Sequence, residues 1–253
     1  MSEHVLHTIF WENAGLGAYL YGSDLRLNRD KSVQFENLMM PSGKAINTWR
    51  SAANFLMDRC EPQLPLLFGG REYIIRTFLT DDPPGTVLMR LDFFNQQKEK
   101  IGTRMFDQKE GEFTFPAEAY SYQAGLVQGG SDRLHFYMFE LFSKEDRLFR
   151  EVMCPTEDGK TLNLFLPKMA GHALTIFDED IPDGVTDYMV LSPYLSIASA
   201  EFFQSVLGQI LPEKTYEEIR IHWQDEEALR QAEKRAEPAG NLRFVRWEKE
   251  INE

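Results

Sequence analysis

Cysteine is nearly missing from this chain. Among 253 residues there are two, Cys60 and Cys154, and no CxxC pair. That excludes a disulfide framework and argues against a cysteine zinc site, and it makes a reducing cytosol the simpler compartment. No window of about 18 apolar residues occurs, so no segment is expected to insert in a membrane. The first seventeen residues, MSEHVLHTIFWENAGLG, lack a basic stretch and an apolar core, so no secretory signal is expected there. Positive charge is in deficit: 27 Lys and Arg against 40 Asp and Glu leave a net charge of −13. Nucleic acid is therefore not an expected partner, because a phosphate-backbone binder needs a clustered basic surface. Catalytic signatures are also missing: there is no GxSxG, P-loop, HExxH or EF-hand loop. Gly15 and Gly17 do not open a GxGxxG, because position 20 is Leu. Through about residue 145, helical periodicity is nearly absent.

The residues that are present fit a folded protein. Hydrophobic residues make up 43% and charged residues 26%, a globular composition with ample length for a core. The most idiosyncratic stretch is Phe35 to Trp49, FENLMMPSGKAINTW. A strand ending at Phe35 meets the Pro41-Ser42-Gly43 break, and an extended segment restarts at Ala45. Glu72 to Thr80 is rich in Tyr, Ile, Thr and Phe and reads as a strand. Asp81-Asp82-Pro83-Pro84-Gly85 is an emphatic turn. Val87 to Phe94 alternates, with Val87, Met89, Leu91 and Phe93 on one face. Strands at 101–106, 112–115, 121–127 and 134–142 follow. Eight or nine short strands between turns predict an antiparallel β-sandwich or jelly roll.

The period changes after residue 157. Segments 162–166, 174–177 and 188–191 read as strands, and 196–211 has the i, i+3, i+4 spacing of a helix. A strand at Ile219–Trp223 follows. Asp225 caps a second helix carrying a Glu226–Arg230 pair, and Leu242–Val245 is a last strand. This alternation predicts a smaller α/β segment with a largely parallel sheet. The expected organisation is a β-sandwich over 1–150 and an α/β extension over 160–253.

Candidate chemistry is sparse. Asp178, Glu179, Asp180 and Asp183 suggest a hard-cation site or a solvated acidic turn. His4, His7, His135, His172 and His222 show no ligand spacing. Ser42, His135 and Asp92 supply the residue types of a triad without its sequence context. Tyr19, Tyr21, Trp49, Tyr120 and Tyr122 belong either to the core or to a surface that stacks on sugar or protein. Arg50 beside Trp49 suits such a surface. The partner- or glycan-binding candidates are thus Tyr21, Trp49, Arg50, Tyr120 and Tyr122. No cofactor and no metal site is expected.

A series of motifs carries a resemblance. Tyr21-Gly22-Ser23, Val33-x-Phe35-Glu36-Asn37, Met40-Pro41-Ser42-Gly43-Lys44, Thr48-Trp49, Pro62-x-Leu64-Pro65-Leu66-Leu67 and Ala117-Glu118-Ala119-Tyr120-Ser121-Tyr122 occur in this order. Over about residues 10–142 the chain resembles the third protein of the accessory Sec system of Gram-positive bacteria. That resemblance implies a fold similar to carbohydrate-binding modules. It implies a non-catalytic cytoplasmic adaptor, peripheral to the membrane translocon. It also implies a role in modification and export of serine-rich-repeat glycoprotein adhesins. The implied partners are the two other accessory secretory proteins (one glycosyltransferase-like, one an acetyltransferase), the accessory Sec motor ATPase and the glycosylated adhesin preprotein. The alternative is a carbohydrate-binding module or accessory domain of a sugar-acting enzyme. The α/β extension lies outside the resemblance.

Overall fold

A computed structural model describes residues 3–12, 17–53, 61–107, 109–154, 159–168, 173–192, 194, 216–235 and 242–246. Its contacts divide the chain into a unit of Ile9–Lys144 and a unit formed by Met1–Thr8 with Glu145–Glu253.

The first unit is an antiparallel β-sandwich. One sheet is built from β2 (Asp24–Leu27), β3 (Val33–Glu36), β5 (Glu72–Asp82), β8 (Glu110–Thr114) and β10 (Arg133–Ser143). Its strands run in the order β2-β3-β10-β5-β8. The other contains β4 (Ala45–Arg50), β6 (Val87–Phe94), β7 (Lys100–Phe106) and β9 (Ser121–Gln128), in the order β4-β9-β6-β7. On β6 the period of two buries Val87, Met89, Leu91 and Phe93 as expected. Trp11, Trp49, Phe136 and Phe139 fill one part of the core, and Phe93, Phe113, Phe115 and Tyr122 another. The Asp81–Gly85 turn forms where Pro and Gly predicted it. Asp81 locks it by accepting hydrogen bonds from the backbone N–H groups of Gly85, Thr86 and Val87, at 3.1, 2.6 and 2.9 Å.

The second unit has a parallel sheet of β11 (Thr161–Leu166), β13 (Tyr188–Val190), β14 (Glu218–Trp223) and β15 (Leu242–Arg246), in the order β13-β11-β14-β15. The run Leu162–Leu166 is buried on both faces, as a strand inside a parallel sheet requires. Helix α1 (Glu226–Arg235) joins β14 to β15. Asp225 caps it, accepting from the Glu227 N–H at 2.9 Å. The expected Glu226–Arg230 pair is present at 3.7 Å. The helix expected over 196–211 lies outside the described residues. In the same unit, β12 (Ala173–Phe177) pairs antiparallel with β1 (Glu3–Ile9), from Glu3 opposite Phe177 to His7 opposite Ala173. No helix among the described residues is long and apolar enough to cross a membrane.

Candidate interaction surfaces

Two of the motifs quoted above meet at one end of the sandwich. The turn before β2 carries Tyr21-Gly22-Ser23, with Gly22 at φ 69°, a conformation that glycine adopts without strain. The strand β3 ends at Glu36, and Asn37 follows with its side chain buried. Its amide donates to the Tyr21 carbonyl at 3.0 Å and to Ser23 Oγ at 2.8 Å. Its side-chain oxygen accepts from the Met39 N–H at 3.0 Å. One buried amide thus fastens two surface turns together. The consequence is an outward-facing apolar group: Tyr21 is 85% exposed, Leu38 69% and Met39 90%, with Leu20 beside them. Its bonds being satisfied, this buried amide rigidifies the turns that carry the exposed apolar side chains.

A groove of about 450 Å³ opens beside these turns on the outer face of the same sheet. The strand register lines up two rows across it. One is Arg26, Gln34, His135 and Thr80; the other is Asp24, Glu36, Arg133 and Asp82. Arg133 pairs with Glu36 at 3.2 Å. His135 is held from both sides, its Nε2 3.0 Å from Ser32 Oγ and its Nδ1 3.1 Å from the Tyr137 hydroxyl. Ser32 Oγ donates to Asp30 at 2.7 Å and accepts from the Asn28 amide at 3.0 Å. Its proton is therefore committed to the carboxylate, and His135 Nε2–H must donate to it. With its proton on Asp30, Ser32 Oγ is not set up to be activated by His135 as in a Ser–His pair. Burial lowers the His135 pKa, with Asp30 opposing. Ser42 and Asp92 do not join it. Ser42 lies in the loop before β4. Asp92 lies on β6 in the other sheet, held by Lys100, Thr103 and Arg90 at 2.6, 2.7 and 3.0 Å.

At the opposite end, Leu66, Phe68 and Tyr120 are exposed. Arg71 sits 4.9 Å over the Phe68 ring. The segment is fixed from below, because the Tyr122 hydroxyl donates to the Pro65 carbonyl at 2.9 Å. Of the five contact candidates read from the sequence, the structure puts Tyr21 and Tyr120 on the surface, at opposite ends of the strands. Trp49 and Tyr122 are core residues instead. Trp49 is fully buried, with Nε1 donating to the Phe10 carbonyl at 2.8 Å, and Tyr122 is 2% exposed. The physical reason is the pleat: both point between the sheets, where their large rings fill the core. Arg50 is half-buried at the end of β4, and its carbonyl accepts from the N–H groups of Gln63 and Leu64 at 2.8 and 3.2 Å.

The second unit holds a cluster that sequence reasoning missed. His4 on β1 presents both ring nitrogens to carboxylates: Nδ1 to Asp146, and Nε2 to Asp178 at 2.8 Å. Two flanking carboxylates favour the doubly protonated ring, which donates from both nitrogens. Burial works against charge at both His4 and Asp146. The flanking carboxylates outweigh it at the ring, and the His4 pKa is raised. Asp178 opens the acidic turn predicted from the sequence; Asp180 there accepts from the Phe177 N–H at 2.9 Å. Elsewhere in this unit His222 stacks on Phe165 at 4.6 Å, with Nε2 2.9 Å from Asn163 Oδ1. Burial, with Arg220 adding to it, pushes the His222 pKa down to about 4.

Comparison with known proteins bears on the sandwich unit first. The family model described as Accessory Sec secretory system ASP3 matches residues 18–143. The accessory Sec system protein of that family from Streptococcus gordonii is 34% identical over 123 residues, which are 49% of this chain and 77% of the relative. Among solved structures, the chain is similar to one in the crystal structure of accessory secretory protein 1,2 and 3 in Streptococcus pneumoniae. The identity there is 32% and the TM-score 0.52, over 54% of this chain and 95% of that one. A chain of the Glycosylation Associate Protein (Gap123) complex from Streptococcus agalactiae shares the fold over 94% of this chain and 77% of its own, at 22% identity and a TM-score of 0.56. The chain belongs to the accessory Sec secretory system ASP3 family.

Proposed function

We propose that this accessory Sec component is a non-catalytic adaptor subunit. It binds the other accessory secretory proteins, one glycosyltransferase-like and one an acetyltransferase, in the cytoplasm beside the membrane translocon. Through them it supports modification and transport of serine-rich-repeat glycoprotein adhesins, in company with the accessory Sec motor ATPase. The observation that carries this reading is the pair of rigidly held apolar loop surfaces, with Tyr21, Leu38 and Met39 at one end and Leu66, Phe68 and Tyr120 at the other. Apolar side chains exposed on fastened loops suit burial in a protein interface. The solved relative from Streptococcus pneumoniae supports it, since that crystal structure is of accessory secretory protein 1,2 and 3. The proton commitments around His135 and Ser32 favour a structural role over catalysis. A free sugar-binding module is the weaker reading, because among the described residues the lining of the groove contains no Tyr or Trp ring on which a sugar can stack. A pull-down of the tagged chain from its native host is the test. Recovery of the accessory secretory proteins is the expected result. Recovery of glycan with none of those proteins would overturn the proposal.

A further inference from the structure

We infer that the Tyr21 end of the sandwich seats in an apolar pocket of a partner protein whose rim carries lysine or arginine side chains. This rests on the adaptor reading and assigns the partner surface that it needs.

The apolar half of this surface is the knob formed by Tyr21, Leu38 and Met39. It cannot retreat into the sandwich, because the three bonds of Asn37 hold both turns. A preorganised knob loses little conformational entropy on docking, and an exposed Tyr and Met are side chains enriched at interface cores. The charged half is the rim. Asp24, Glu36 and Asp82 face the adjoining groove, and Asp132 lies next to the knob, its carbonyl accepting from the Asn37 N–H at 3.1 Å. Among the described residues lining the groove the arginines are Arg26 and Arg133, and the guanidinium of Arg133 is already bound to Glu36. Asp24, Asp82 and Asp132 are exposed and carry no ion pair among the described residues. An acidic rim around an apolar knob selects a partner with cationic side chains around an apolar pocket. It also disfavours a second copy of this chain, which would bring like rims together on a molecule of net charge −13.

The test titrates the full chain against the host's other accessory secretory proteins, purified together. Tyr21→Ala/Met39→Ala is expected to weaken binding about tenfold or more, with the melting temperature unchanged because both side chains are exposed. Asp24→Lys/Asp82→Lys is expected to slow association and to abolish its acceleration at low salt. If the wild-type chain binds and both variants bind like it, or if only a Tyr120→Ala/Leu66→Ala control is weakened, the inference fails while the adaptor reading survives. If the wild-type chain does not bind, both fall. A wild-type dimer that Tyr21→Ala/Met39→Ala dissolves would overturn the inference by assigning the surface to a second copy.

Discussion

Trp49→Ala is expected to unfold much of the sandwich unit, and its size follows from what the ring touches. Trp49 is fully buried, and its centroid lies 5.1 Å from Phe139, 5.4 Å from Phe136 and 6.3 Å from Trp11. Truncating a buried Trp costs about 3–5 kcal/mol in lost transfer energy and residual cavity. The same change removes the donor that meets the Phe10 carbonyl at 2.8 Å, adding about 1 kcal/mol or more. A loss of about 4–6 kcal/mol is a large part of a total stability of about 5–15 kcal/mol. At roughly 3–5 °C per kcal/mol for a unit of this size, the melting temperature should fall by more than about 10 °C. Trp49→Phe keeps a ring in the aromatic cluster and should lose only about 1–3 kcal/mol. Calorimetry and urea denaturation of both variants measure this directly. A Trp49→Ala melting temperature within about 2 °C of wild type would refute the placement of the ring in the core.

Further outcomes concern ionisation. His4 has a folded pKa above its unfolded value, so its contribution is complete below about pH 6.5 and lost as pH rises through the folded pKa. His4→Ala should therefore destabilise most at pH 6, with the gap to wild type narrowing by pH 9 in thermal melts. His222 has the opposite sign: its folded pKa of about 4 means that stability is lost as pH falls from about 6.5 towards 4. His222→Gln should flatten that acid limb, by about 1–2 kcal/mol after allowance for the ring's partial exposure. Glu140 is buried 3.4 Å from Arg76, and burial raises its pKa to about 7 despite that cation. Stability is thus lost as pH rises from about 4.5 through 7, and Glu140→Gln should recover about 1–3 kcal/mol at pH 8 and nothing at pH 4.5. Equal effects at the two pH values would contradict that assignment.

The strands of the sandwich were legible because their signals are local. The alternation of Val87 to Phe94 and the Asp81–Gly85 turn needed no knowledge of distant residues. What depended on distant pairing was not legible. His4 finds its carboxylates 142 and 174 residues away. Nothing in the spacing of β1 says that its partner is β12. The parallel sheet was foreseeable from the alternation of strand and helix, but its order was not. Among the contact candidates, Tyr120 and Tyr122 are two residues apart, which on a strand would put them on one face. β9 begins only at Ser121, so Tyr120 lies off the strand and outside, and Tyr122 points into the core. Trp49 was ambiguous for a related reason. The register of β4 shifts between Ala45 and Asn47, and alternation counted from Ala45 does not survive a bulge. The knob at Tyr21 was hidden because exposure follows from Asn37, sixteen residues further along the chain.

If this chain works as a subunit of an accessory secretory assembly, it must form a stable complex with its partners. The decisive measurement mixes the purified chain with the host's purified accessory secretory proteins and determines mass by size-exclusion chromatography with light scattering. The expected result is one co-eluting species of fixed stoichiometry, persisting on dilution. The 29.4 kDa chain eluting alone as a monomer at every ratio would contradict it.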